Sequence, residues 1–434
     1  MSGDAVAGLR EALGARVLED ADAVWRLSAG GAVPACVVEP GDVDELAAAL
    51  RAAARHRLDV LPAGNGTHLG IGWPPRRPAA AVTTRRLSRI LAHDAGDMTV
   101  RVEAGVGVAA LNARLAATGQ WLPLDPPRAE AMTVGGLIAA DRNGPLRYGF
   151  GTVRDWLIGL RVVMADGEVV RGGGQVVKNV AGYDLPRLFT GSYGTLGVIV
   201  EATFKVRPLV GGLAVFEWTA PSVSEALARA QTLLGSDVIP VLVEAINESA
   251  AEALGLDSGA SLLIGCAGGA AHLDEQERRL AALSGGAAVR HGAERGDALL
   301  RALREFSQPA DEDALVVRLS ALPTALGGLL AEVERDAAAA RVVAEIAAHA
   351  GSGVGWCQLL GAPDDATLAR LAEGLRAAAR RQGGWAVFEA VPAPLRAELD
   401  PWGFDAPALA IMRRVKAALD PGALLSPGRF VGGI

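Results

Sequence analysis

The apolar positions of this chain change period several times. Between residues 42 and 56 they recur at helical spacing, at Leu46, Ala49, Leu50 and Ala53, behind an Asp-x-x-Glu start (Asp42, Glu45), which predicts a capped amphipathic helix. Residues 58–61 then read as a short strand ended by Pro62, residues 81–83 as a second, and residues 99–103, with Val100 and Val102 alternating, as a third. A helix is expected over about 108–118. Residues 161–170 hold two β-branched halves around Asp166-Gly167, the strongest short-range hairpin signal in the chain. Residues 194–206 give another strand, closed by Pro208. Strands with so little regular βαβ period predict an α+β domain with mixed strands.

Beyond about residue 210 the pattern becomes more regular. Strand 213–219, helix 222–234, strands 239–245 and 261–266, helix 273–283 and strand 288–291 follow one another. A similar succession recurs as strand 315–318, helix 323–336, strands 342–347 and 355–359, helix 365–380 and strand 385–389. Two β-α-β-β-α-β units predict a second domain of paired ferredoxin-like halves. The first 20 residues read as a polar amphipathic helix with Arg10, Glu11, Glu19 and Asp20, without the apolar core of a secretory leader.

Composition narrows the classes. Half of the 434 residues are hydrophobic but only 4% are aromatic, and 54 are Gly, so a packed core of small aliphatic residues is expected and extensive disorder is excluded. Forty-two basic against 49 acidic residues give a net charge of −7 with no basic block, which argues against a nucleic-acid partner. Cys36, Cys266 and Cys357 form no Cys-x-x-Cys pair, so the chain cannot ligate an iron–sulfur cluster by itself, and a disulfide framework is not expected. No apolar run approaches the ~20 residues of a membrane span. A cytoplasmic protein without a transmembrane segment is expected.

Chemistry concentrates in glycine clusters. Residues 61–72, Leu-Pro-Ala-Gly-Asn-Gly-Thr-His-Leu-Gly-Ile-Gly, follow a strand, and their glycines let consecutive backbone N–H groups turn toward one anion such as a pyrophosphate. The competing reading is a flexible surface loop. Gly135 and Gly136 open a small-residue helix after Thr133, where free N–H groups would favour a phosphate. Gly191, Gly194 and Gly197 form a third cluster ahead of an apolar run suited to a buried strand. A fourth run, Gly105-Val-Gly-Val-Ala-Ala110, satisfies the strand–glycine–helix context of a Rossmann fingerprint, but the acidic residue about 20 positions on would be Asp125, in a Pro-rich turn. It is read as structural.

The ordered set of residues 62–72, 102–106, 133–136, 178–184 (Lys-Asn-Val-Ala-Gly-Tyr-Asp), 191–199 and 203–208 resembles the PCMH-type FAD-binding domain of the vanillyl-alcohol oxidase superfamily. The stretch 180–184 with Leu188-Phe189 and Gly-Ser-Tyr-Gly-Thr-Leu-Gly-Val resembles its FAD-linked 2-hydroxy-acid dehydrogenase branch, within which the chain is similar to GlcE-type FAD-binding subunits of glycolate oxidase. The resemblance implies a two-subdomain PCMH-type FAD-binding domain followed by a ferredoxin-like cap. The expected divisions are a helical segment over 1–32, the FAD domain over 33–209, the cap over 210–405, and a helix and tail over 406–434 returning to the flavin domain. It implies FAD held by Pro62, Gly64, Asn65, Gly66, Thr67, His68 and Gly70, by Asp125, Pro126, Thr133, Gly135, Gly136 and Asn143, and by Gly182, Tyr183, Gly194, Gly197, Val198 and Ile199. The position used for covalent attachment in some members falls on Thr67, one residue before His68, so noncovalent FAD is expected. Lys178 is the cation expected near the ring, with a solvated lysine as the competing reading.

One departure matters. Catalytic members carry a His-x-Gly-Asp-Gly-Asn-x-His run whose two histidines bind metal or the substrate; here it reads His349-Ala-Gly-Ser-Gly-Val-Gly-Trp356. No metal is therefore expected, and the catalytic candidates reduce to His349 and to Arg318, a cation for a substrate carboxylate. The implied function is an FAD subunit of a complex oxidising a small 2-hydroxy acid, with a larger homologous FAD subunit, an iron–sulfur subunit and peripheral membrane association through that complex. A self-sufficient oxidase of another alcohol or sugar lactone, and a flavin-binding scaffold, are the alternatives.

Overall fold

The structure, a computed structural model, describes residues 2–75, 80–174, 183–257, 259–403 and 406–434. The chain forms two compact units. The first comprises Met1–Arg142, Thr152–Leu209 and Phe404–Ile434, the second Asn143–Gly151 and Val210–Gly403. The sequence offered no reason to interrupt the stretch 33–209, yet Asn143–Gly151 groups with the second unit. Gly149 N donates to Val241 O at 3.1 Å, and a side chain at Gly149 would come within 2.5 Å of Val241 Cα.

Among its described residues the first unit has a two-stranded ladder of Gln120–Trp121 with Arg207–Pro208 and two main sheets. In one, the strands run in the order Val17–Leu18, Cys36–Val38, Ala80–Thr83, Val60–Ala63; the last three are parallel and the first antiparallel to its neighbour. Cys36–Val38 and Ala80–Thr83 are buried throughout, as parallel strands covered on both faces must be. The expected helix forms as Val43–Arg55 and buries Leu46, Ala49, Leu50 and Ala53. Asp42 caps it by accepting from Glu45 N at 2.8 Å, while the Glu45 carboxylate accepts from Gly41 N at 2.6 Å, one residue earlier than a standard capping box. The N-terminal helix, Ser2–Leu13, ends before the expected residue 20 and is followed by a single 3-10 turn.

The other sheet is antiparallel, in the order Ile90–Asp94, Thr99–Glu103, Val198–Lys205, Leu157–Val163, Val169–Gly173. The Asp166-Gly167 hairpin pairs Val163 with Val169, and Gly167 takes φ +82°, which only glycine adopts without strain. Val102, Val162, Ala202 and Phe204 pack with the helices Val108–Ala116 and Val134–Ala140 in one core.

The second unit is a single eight-stranded antiparallel sheet. Its order is Val289–Arg290, Leu213–Ala220, Ala260–Ala267, Leu242–Ile246, Val343–His349, Val354–Leu360, Leu315–Ser320, Trp385–Ala390. In each half the chain order of the strands is 4-1-3-2, as in a ferredoxin-like unit, and the halves join second strand to second strand with Glu244 opposite His349. Phe216, Val243, Ile264, Val317, Ile346, Cys357 and Phe388 face the helices Val223–Leu234, Pro323–Ala339 and Asp365–Arg381. Alternation therefore puts Glu244, Arg318, His349, Trp356 and Glu389 on the opposite face. Two further helices belong to the unit: Glu248–Ala253, with six residues, and the amphipathic Ala293–Glu305, which buries Gly296, Leu299 and Leu303 and lays Gly296 on Val215.

Candidate functional site

The glycine loop leaves strand Val60–Ala63 and is held in shape by its own flanks. Thr83 Oγ1 donates to Gly64 O at 2.9 Å, Asn65 Nδ2 to Ala131 O at 2.8 Å and Arg128 Nη1 to Thr67 O at 3.1 Å. Thr67 Oγ1 and His68 Nδ1 lie 3.0 Å apart. Gly66 has φ +77°, and the space around Gly70 is open to 4 Å. Gly64 has to be glycine, because a Cβ there would sit 2.0 Å from Thr133 Oγ1. Among the described residues, the backbone N–H groups of Asn65, Gly66 and Thr67 donate to no other group of the chain, which leaves three successive donors free. This is the donor set of an anion nest.

The helix Val134–Ala140 corrects one expectation. Val134 N donates to Val106 O at 2.8 Å, Gly135 N to Ala104 O at 2.7 Å and Gly136 N to Thr133 Oγ1 at 3.2 Å, so the N–H groups expected to be free at Gly135 and Gly136 are engaged. Gly135 instead lets the helix approach Ala104, where a Cβ would meet the Ala104 methyl at 3.0 Å. What this segment brings to the loop is the Thr133 hydroxyl beside Gly64.

The third cluster docks on the same helix. Gly191 N donates to Ile138 O at 2.9 Å and Tyr193 N to Ala139 O at 2.8 Å, while Gly194, at φ +69°, lies where a Cβ would be 3.1 Å from that of Pro62. Thus Gly64 meets Thr133, Gly194 meets Pro62 and Gly191 meets the end of the helix: three clusters spread over about 135 residues of sequence form one cradle. Gly197 is fixed by packing, its Cβ position lying 2.4 Å from Val162 Cγ1, and Val198 and Ile199 are buried strand residues. Asp125 is half-buried and Pro126 buried in the irregular stretch before Thr133. Tyr183 is 94% exposed, and Asn143 belongs to the second unit. Lys178 and Gly182 lie outside the described residues.

The Rossmann-like run proves structural. A Cβ at Gly105 would stand 2.1 Å from Thr84 O, and Gly105 N, Val108 N and Ala109 N donate to Leu87 O, Met132 O and Ala129 O, so the run is taken up with packing its own helix.

In the second unit the face opposite the helices Val223–Leu234, Pro323–Ala339 and Asp365–Arg381 carries a polar array. His349 Nδ1 makes a short contact with Glu244 Oε1 across the seam between the two halves, and both side chains are buried. Burial pushes the Glu244 carboxyl above the usual range, and the neighbouring imidazole pulls it back. The His349 ring meets Trp356 edge-on at 4.8 Å between centroids. Trp356 Nε1 donates to Glu389 at 3.0 Å, and Glu389 lies 3.0 Å from Arg318 Nε; the guanidinium also covers the Trp385 ring at 4.9 Å. The structure therefore brings Arg318 and His349 into one array, but the carboxylate that Arg318 meets is one of its own chain. Sequence reasoning missed Glu244 and Glu389, whose roles are set by strand register and not by any local pattern. Among the described residues no three His, Cys, Asp or Glu gather as a metal site would require.

Comparison with known proteins points to a flavin. A family described as FAD binding domain matches residues 34–173, which holds the glycine loop and Thr133–Gly136, and one described as FAD linked oxidases, C-terminal domain, matches residues 396–430. The chain thus carries an FAD-binding domain and a segment of the C-terminal domain of FAD-linked oxidases. The chain is 32% identical over 220 residues to glycolate oxidase subunit GlcD of Bacillus subtilis (strain 168), covering 50% of this chain and 46% of that one. It is 42% identical over 120 residues to glycolate oxidase subunit GlcE of Escherichia coli (strain K12), covering 27% of this chain and 34% of that one. The matched stretches thus span less than half of these two relatives. The solved structure of p-cresol methylhydroxylase with substrate bound superposes with a TM-score of 0.78 at 16% identity, over 99% of this chain and 96% of that one, and shows that the fold is PCMH-type.

Proposed function

We propose that this chain is the FAD-binding subunit of a complex that oxidises a small 2-hydroxy acid such as glycolate. The observation that carries the reading is the meeting of three glycine clusters at one cradle whose three free N–H groups fit a diphosphate. Asn65, Gly66 and Thr67 would hold the diphosphate through backbone donors, with the Thr133 hydroxyl beside them and Gly64 and Gly194 allowing the close approach. Pro62, His68, Gly70, Asp125, Pro126 and Gly136 would shape the walls, while Gly135, Gly197, Val198 and Ile199 are taken up by packing. FAD supplies the two-electron acceptor for a carbon–hydrogen bond next to a hydroxyl. The chain's cysteines, Cys36, Cys266 and Cys357, are single and buried, so an iron–sulfur centre that takes the electrons onward belongs to a partner chain. The likeness to two named subunits of glycolate oxidase supports assembly with a homologous FAD subunit.

In the second unit, Arg318 is already neutralised by Glu389, so a substrate carboxylate would have to displace an internal one. That favours chemistry that depends on the complex over a self-sufficient oxidase. The test is anaerobic addition of glycolate to the purified flavoprotein, alone and with partner subunits. Bleaching of the flavin spectrum only in their presence supports the reading; bleaching of the chain alone replaces it with an autonomous enzyme.

A further inference from the structure

The C-terminal tail, distant in sequence from every glycine cluster, is stitched to two of them. Lys416, on the helix Ala406–Leu419, is buried, and its Nζ donates to Thr195 O at 2.7 Å, Leu425 O at 2.7 Å and Asp420 Oδ2 at 2.6 Å. All three ammonium protons thus find acceptors, and one of those acceptors lies inside the 191–197 turn of the cradle. Asp420, itself buried, spends its oxygens on Leu424 N at 3.0 Å and Leu425 N at 2.8 Å, which turns the chain back toward the sheet. There Val60 N donates to Leu424 O at 2.8 Å and Ser426 N to Val60 O at 2.8 Å, so the tail pairs with the strand that launches the glycine loop. Farther on, Arg429 Nη2 donates to Leu69 O at 2.8 Å and Ile71 O at 3.0 Å, within the loop itself, and Phe430 stacks on Tyr193 at 5.5 Å.

We propose that Lys416 is a positioning residue for the FAD cradle, with Asp420 and Arg429 as its accomplices: one buried ammonium fixes the 191–197 turn to a tail that also holds both ends of the 62–72 loop. The inference rests on the reading of that cradle as the FAD site. The 62–72 loop has internal backbone bonds from Leu69 N to Gly66 O and from Ile71 N to His68 O, both long at 3.3 Å, and three N–H groups left unbonded among the described residues, so contacts from outside it add to its pre-organisation. A lysine with three acceptors is a compact way to supply it, because removing the charge strips a hydrogen bond from Thr195 and Leu425 at once while leaving the buried Asp420 without its cation.

The test is the dissociation constant of FAD for the full chain carrying Lys416→Met, measured by flavin fluorescence below the melting midpoint of the apoprotein, beside that midpoint itself. Weakening of about tenfold or more is expected, from the loss of a charge-assisted buried bond. A lower midpoint with unchanged FAD affinity would make Lys416 merely structural and overturn the proposal. If Lys416→Met does not fold, Arg429→Lys keeps the charge but removes the planar fork from Leu69 and Ile71; severalfold weaker FAD binding is expected, and unchanged affinity counts against the tail's role. The wild-type chain separates the two readings: if it takes up no FAD, the cradle assignment fails, whereas FAD bound equally by wild type and variants defeats only the positioning role.

Discussion

In the first unit the polar groups gathered at the site are backbone N–H donors and one hydroxyl, delivered by glycines in short local runs. In the second they are side chains, Glu244, His349, Trp356, Glu389 and Arg318, paired across strands, with Glu244 and His349 105 residues apart in sequence. The difference shows what each unit can do. A backbone nest binds an anion of fixed shape and leaves its donors unbonded for it. A buried array in which carboxylate meets imidazole, indole and guanidinium pairs most of its polar groups with one another, His349 Nε2 being left without a hydrogen-bond partner among the described residues, and its first effect is to fix the seam between the two halves of the sheet.

The comparison breaks most sharply on two glycines. Gly64→Ala forces a methyl to within 2.0 Å of Thr133 Oγ1, and FAD affinity should fall tenfold to a hundredfold, in rough terms, with a modest loss of stability. Gly105→Ala puts a methyl 2.1 Å from Thr84 O, a backbone atom that cannot move aside, so it should lower stability by about 3 kcal/mol or more and show no selective effect on FAD once folded. Denaturant melts together with FAD titrations check both; equal behaviour of the two variants would erase the distinction between a cradle glycine and a packing glycine.

In the second unit the largest effect is expected from Glu244→Ala. Removing one partner of a buried pair costs about 3–5 kcal/mol, so the denaturation midpoint of the chain should drop while FAD affinity stays near that of wild type. Loss of FAD with no change in stability would contradict the separation of roles. Trp356→Phe deletes the indole donor to Glu389 and should cost about 1–3 kcal/mol, read in the same melts.

The smallest effect is a pH dependence. Burial pushes the thiol of Cys36 up to about 11 and that of Cys266 up to about 12, from an ordinary value of 9.0, and pushes Cys357 higher still. Above about pH 9 the unfolded chain therefore binds fewer protons than the folded one, and stability falls as pH rises from there through the folded-state values. Two of these thiols lie in the second unit and one in the first. Alkaline melts should accordingly weaken the second unit more, and Cys266→Ala should shallow the slope; an unchanged slope would count against this account.

These contrasts also explain what was legible in the sequence. The cradle could be located because anion nests need glycine at close spacing, and the doubled β-α-β-β-α-β pattern gave the second unit because its strands and helices each carry their own periodicity. What could not be read is whatever depends on a distant partner. Gly135 and Gly136 looked like free donors, but Ala104 O and the Thr133 hydroxyl take them. His349 and Arg318 stood out as residues, while Glu244 and Glu389, which neutralise or orient them, are single carboxylates in apolar strands with no local signature. Lys416 was one of three lysines and signalled nothing until its acceptors in the 191–197 turn and the tail came into view.

The central claim is that the glycine cradle of the first unit holds FAD. It is tested most directly by titrating the FAD-free chain with FAD and reading stoichiometry and affinity for wild type and Gly64→Ala side by side. One FAD per chain, with binding clearly weakened by the added methyl, is predicted. No uptake by the wild-type chain, or equal affinity in both proteins, would contradict it.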